Sequence, residues 1–205
     1  MLAVALVPAA VSATPAVRQW TFDVSADGIP IGTHEFVIRD DQGTRTVRSD
    51  MRFRVRLLIV DAYRFEHTAN ETWRDDCLSQ LDTRTDERGQ ITAVSGRLDA
   101  GGFEIDGTTG RAVLPACVMT FAYWNPRVTR QSHLLNAQTG AWTPVSSDRL
   151  GVDLIEVRGQ PQKADHYRLS TAKNQIELWY APDGGDWLAM RTTTRDGHVL
   201  TYTLR

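Results

Sequence analysis

The sequence predicts an all-β fold, mainly antiparallel: a curved meander sheet forming a barrel or half-barrel, with one short helix or ordered loop near 117–140. Three observations carry this. Apolar and polar residues alternate with period two along most of the chain. Turn signals separate these runs at a spacing of roughly 8–12 residues, giving about a dozen strands. The one long stretch without the pattern, Cys117–Gly140, instead holds a Tyr-Trp pair, an Asn-Pro dipeptide and an amide-rich run.

The bulk numbers narrow the class. A chain of 205 residues can bury a sizeable core. Hydrophobic residues make up 41% and charged residues 23%, both ordinary for a globular protein. A net charge of -2 offers no footprint for nucleic acid or an anionic membrane. No segment is apolar for long enough to be a membrane helix, so an integral membrane protein is not expected.

Met1–Ala16 reads as a secretory signal. Met1–Ala13 is small and apolar, Val11-Ser12-Ala13 fits the small-x-small cleavage pattern, and Ala16 offers a second cut. No Lys or Arg precedes the apolar run, a departure from the usual pattern, and no Cys stands at the cut to carry a lipid. The expectation is a signal over 1–16, a single β-rich domain over 17–205, and a periplasmic or secreted location.

Val17–Asp27 places Trp20, Phe22 and Val24 on one face, as a half-buried strand does. Asp27–Pro30 turns it into Ile31–Arg39, where Gly32 allows a bulge or a close approach. Thr44–Val60 alternates longest: Val47, Met51, Phe53 and Val55 oppose a wet row that includes Arg48, Arg52, Arg54 and Arg56. In Asp61–Arg74 the apolar face carries Tyr63, Phe65 and Trp73 together with His67 and Glu71. At ~3.3 Å per residue those two stand about 13 Å apart, too far for a dyad. Each needs a partner or a cavity if buried.

Cys77–Gln90 and Ile91–Leu98 read as a hairpin, followed by short strands Phe103–Gly107 and Arg111–Leu114. In the central stretch, Asn125-Pro126 is an N-cap followed by proline at the first helical position. It predicts either a short helix over Pro126–Leu135 or an ordered loop. Trp142–Val145 starts a new strand, and Leu150–Arg158, His166–Ser170, Gln175–Ala181, Trp187–Arg195 and Val199–Leu204 complete the meander.

The only cysteines, Cys77 and Cys117, read as a disulfide in an oxidising compartment. It would close a loop of roughly 40 residues, worth about 3–4 kcal/mol in the chain-entropy treatment. Their spacing does not make a zinc site.

Several segments resemble an uncharacterised family of exported bacterial proteins, a domain of unknown function. The likeness rests on Gly28–His34, on Glu71-Thr72-Trp73 leading to Cys77-Leu78, on Cys117–Pro126, on Leu134–Gly140 and on Leu178-Trp179-Tyr180. It covers nearly all of 17–205 and implies a periplasmic β-protein with no known activity. More loosely, the chain is similar to exported families whose curved sheets resemble the lipoprotein-carrier half-barrel, a fold-level likeness that implies no function.

No nucleophile elbow, phosphate loop, paired-histidine zinc motif or dinucleotide fingerprint is present, so no cofactor or metal is expected. Ser132 beside His133 is adjacency, not a triad. Three functions remain open: a module binding or carrying an apolar or amphipathic ligand such as a lipid, an envelope interaction or assembly module with a filled core, and an enzyme of unrecognised class. For the first, the candidate ligand-binding residues are His67, Glu71, Trp73, Tyr123, Trp124, Asn125, Gln131 and Asn136. Tyr123 and Trp124 read equally well as plain core.

Overall fold

The computed structural model describes the backbone of residues 16–57, 60–194 and 197–205, and the side chains of all of these except 56, 57 and 60–62. The expected signal over 1–16 therefore lies, apart from Ala16, outside the described residues.

Eight strands come first: β1 Ala16–Ala26, β2 Ile29–Asp41, β3 Thr44–Leu57, β4 Val60–Arg74, β5 Cys77–Glu87, β6 Gln90–Asp99, β7 Gly102–Gly107 and β8 Gly110–Leu114. After a connecting segment that holds the pair β9 His133–Leu135 and β10 Trp142–Pro144, five more follow: β11 Ser146–Val157, β12 Gln160–Ser170, β13 Gln175–Tyr180, β14 Trp187–Thr193 and β15 Val199–Leu204. Thirteen of them form one antiparallel sheet in the order β11-β12-β13-β14-β15-β1-β2-β3-β4-β5-β6-β7-β8. Each half is a meander, and β15 pairs with β1 to join the two. β11 and β8 are the two edges, so the sheet is an open barrel.

The hairpin turns explain why the meander is so regular. Asp27-Gly28, Gln42-Gly43, Arg88-Gly89 and Arg158-Gly159 each have positive φ at both residues. That is the two-residue turn whose twist matches that of the strands. Asp75-Asp76 adopts the same conformation without glycine, which a short polar side chain tolerates best. The strand expected at His166–Ser170 starts earlier than the sequence suggested: β12 already begins at Gln160, directly after Arg158-Gly159. Pro161 fits there because β13 reaches only as far as Asp165 along β12, so no ladder bond is lost on that side.

Because strands alternate in direction, β8 ends at the rim that holds the 75–76 turn, whereas β11 begins beside the end of β12 at the other rim. Residues 115–145 must therefore run through the sheet's interior from one rim to the other. They do so as core: Val118, Met119, Ala122, Trp124, Val128, Leu134 and Leu135 are all buried. The expected helix over Pro126–Leu135 shrinks to one 3-10 turn, Pro126–Arg130. His133–Leu135 is instead extended and paired with Trp142–Pro144. The ladder between these strands satisfies backbone groups that a longer helix would have satisfied internally.

Several contacts fasten this crossing segment. Cys77 and Cys117 are joined by a disulfide with Cα atoms 4.8 Å apart. The Leu78 N–H donates to the Val118 carbonyl at 2.9 Å. The Thr83 hydroxyl donates to the Ala137 carbonyl at 2.8 Å. At the tip of the β9–β10 hairpin the Gly107 and Gly140 backbones meet; a Cβ on Gly107 would stand 2.6 Å from the Thr139 oxygen.

Candidate functional site

The inward faces of β2, β3 and β4 stack in rows set by the register. His34, Met51, His67 and Thr85 form one row; Phe36, Ser49, Ala69 and Thr83 the next; Ile38, Val47, Glu71 and Leu81 the third. The crossing segment does not press flat against them. Between the two lies a cavity of about 560 Å³, also bordered by the β12–β13 turn. A second concavity of about 720 Å³ lies on the outer face of β5–β8. Its side chains are solvated and paired among themselves, as in Arg111 with Asp106 at 2.8 Å and Gln80 with Asp82 at 2.8 Å, so it is an ordinary wet face.

One carboxyl and two imidazoles on the wall of the inner cavity are buried: Glu71, His34 and His67. The two oxygens of Glu71 accept from Thr120 Oγ1 at 2.9 Å and from Trp73 Nε1 at 3.0 Å. Burial pushes its carboxyl up to about 7, against those two bonds, which favour the anion. His34 Nε2 lies 2.7 Å from Ser49 Oγ, and its Nδ1 has no partner among the described residues. Burial, with His67 nearby, drives the His34 imidazole down to about 3. His67 Nδ1 lies 2.9 Å from Thr85 Oγ1, and burial, opposed by Asp50, takes it down to about 4. Both rings are therefore neutral at pH 7.

Chemically this arrangement binds better than it reacts. Ser49 and His34 have the spacing of a nucleophile and its base. Yet among the described residues no carboxylate orients the ring through Nδ1, and an imidazole held near 3 is a poor acceptor for a hydroxyl proton. Glu71 is four residues along β4 from His67, and both its oxygens are engaged elsewhere. Among the described residues no group of three or more His, Cys, Asp or Glu is placed to hold a metal ion.

The eight residues singled out in the sequence divide into two sets. His67, Glu71, Tyr123, Trp124 and Asn136 line the cavity. Trp73, Asn125 and Gln131 do not. Trp73 stands behind it, edge-on to Trp124 at 5.4 Å, and positions Glu71. Asn125 caps the 3-10 turn, accepting from the Arg127 N–H, and its amide donates to Asp76 at 3.1 Å. Gln131 closes the same turn, its amide donating to the Arg127 carbonyl at 3.3 Å. These three hold the crossing segment in place. Asn136 lines the cavity but also holds the hairpin tip, accepting from the Gln138 and Thr139 N–H groups. Tyr123 is fixed through its carbonyl, which accepts from the Tyr180 hydroxyl at 2.9 Å.

Sequence reasoning passed over His34, Ser49, Thr120 and Lys173, all on the cavity wall. His34 had a signal: it shares the face of Phe36 and Ile38. Ser49 likewise lies between Val47 and Met51 on the apolar face of β3. Thr120 and Lys173 lie outside regular alternation and had none.

A family profile described as a domain of unknown function, DUF6134, matches residues 22–205. The chain belongs to the DUF6134 family. The resemblance drawn from its motifs thus holds, and the family brings no stated activity. No curated protein matches the chain. Among solved structures it is similar to a β-barrel-like protein of another domain of unknown function, DUF1849, from Brucella abortus, with a TM-score of 0.63 at 10% identity over 96% of this chain and 98% of that one. At that identity the likeness concerns the fold alone. This DUF6134 chain contains no helix, among its described residues, long and apolar enough to cross a membrane.

Proposed function

We propose that the protein is exported to the periplasm and that its inner cavity holds the apolar part of a small amphipathic ligand. The cavity carries the reading. Its volume falls within the roughly 300–1,000 Å³ of small-molecule sites, and its wall mixes apolar surface with a few buried polar groups, as such sites do. The disulfide between Cys77 and Cys117 and the small, apolar start of the chain support export. One feature favours a second reading, a protein-interaction module: Leu150, Val152 and Leu154 are exposed in alternation on the edge strand β11. That reading expects a filled core, which the cavity does not supply.

Native mass spectrometry of the protein recovered from the periplasm of a Gram-negative host tests both parts. The expected result is a mass lacking residues 1–13 or 1–16, carrying one small molecule that organic solvent releases. The Ala69→Phe variant, which projects a ring into the cavity, stays folded but empty. Retention in the cytoplasm would count against export. An apo mass that persists after adding the apolar dye N-phenyl-1-naphthylamine would sink the cavity reading and favour a protein partner.

A further inference from the structure

This inference rests on the cavity reading above and adds the class of ligand. We infer that the occupant is a long-chain amphiphile with an anionic headgroup, its head at Lys173 on the rim and its chain along the inner faces of β2–β4.

The rim is identified by exposure. Most cavity-lining residues are buried or half-buried, whereas Pro144, Ala172, Lys173 and Asn174 are exposed, so the cavity meets solvent between the end of β10 and the β12–β13 turn. Among the described residues lining the cavity, Lys173 is the one Lys or Arg. No carboxylate among the described residues pairs with it. Its turn is ordered from within: the Thr171 N–H donates to the Asn174 carbonyl at 2.9 Å, and Thr171 Oγ1 accepts from the Asn174 N–H at 2.9 Å and the Lys173 N–H at 3.2 Å. The side-chain amide of Asn174, on the same turn, also lines the cavity and makes no hydrogen bond to the described protein.

The opposite polarity is disfavoured by what lies deeper. The inner wall offers an acid, Glu71, and imidazoles that burial keeps neutral, so an anionic head placed there meets no cation and approaches a carboxyl group. A cationic head would find both Glu71 oxygens already accepting hydrogen bonds from Trp73 and Thr120. Phe36, Val47, Met51 and Ile176 supply apolar surface for the chain. A ligand with an apolar tail and a single anionic end satisfies both ends of the cavity at once.

The test is displacement of N-phenyl-1-naphthylamine from the mature protein by palmitate, hexadecanol and hexadecyltrimethylammonium, each below the concentration at which it forms micelles. Palmitate is expected to compete best. Because Lys173 is exposed, its contribution is that of a surface charge: Lys173→Gln should weaken palmitate by about threefold to fivefold and leave hexadecanol unchanged. Lys173→Glu should weaken it by roughly tenfold, and raising the salt should erase the preference. Equal competition by all three chains, unaffected by either variant, overturns the headgroup assignment while the cavity reading stands. Absence of dye uptake in the wild-type protein overturns both.

Discussion

One register row of the sheet, read strand by strand, shows two ways of building an interior. From β1 to β5 it runs Trp20, Phe36, Ser49, Ala69, Thr83. On the β1 side the residues are large and the interior is packed solid. Phe22 and Trp187 have ring centroids 4.1 Å apart, Phe36 and Trp187 5.6 Å, and Trp187 and Tyr202 6.2 Å. Across β3–β5 the same row narrows to a hydroxyl, a methyl and a hydroxyl, and space opens. Strand pattern and backbone are alike in both regions. The difference is side-chain volume, which decides whether a curved sheet encloses a core or a cavity.

The sharpest way to break this contrast is to hollow the filled side. Trp187 is fully buried among aromatic neighbours, so Trp187→Ala should cost about 3–5 kcal/mol, read as a lower urea midpoint. A loss below 1 kcal/mol would mean that this side, too, is loosely packed.

Glu71 sharpens the contrast by pH. Its folded-state pKa of about 7 lies above the ordinary 4.5. Folding therefore favours the protonated form, and this contribution is complete below about pH 4.5 and lost as pH rises through 7. The change amounts to about 3 kcal/mol at most. His34 and His67 run the other way: their depressed values of about 3 and 4 withdraw stability as pH falls below their ordinary 6.5. Subtracting the pH profile of Glu71→Gln from that of the wild type isolates the carboxyl. The difference should fall between pH 4.5 and 7; a flat difference would show that Glu71 titrates normally and that the cavity wall is wet.

The smallest effect should come from filling the hollow side. Ala69→Phe places its ring in existing space, so its change in stability should stay below about 1.5 kcal/mol while dye uptake disappears. A loss as large as that of Trp187→Ala would mean that the crossing segment already packs tightly there.

Much of this was legible in the residues. Alternation in Thr44–Arg74 located β3 and β4 and placed His67 and Glu71 on the inward face, because a strand's period is local. The Asp27-Gly28 pair marked the first hairpin. Trp73, Asn125 and Gln131 do not line the cavity, and an aromatic or an amide that fastens a segment looks the same in one dimension as one that lines a cavity.

By itself, then, the sequence determined most of the strands, the meander and the inward faces of β1, β3 and β4, all of which depend on neighbours a few residues apart. Only the tertiary structure decided that β15 pairs with β1, that 115–145 threads the interior, that Cys77 lies against Cys117, and that Lys173 shares a cavity with Glu71. Those facts depend on residues that meet after long separations in the chain, where side-chain volume and sheet curvature rather than local propensity choose the contact.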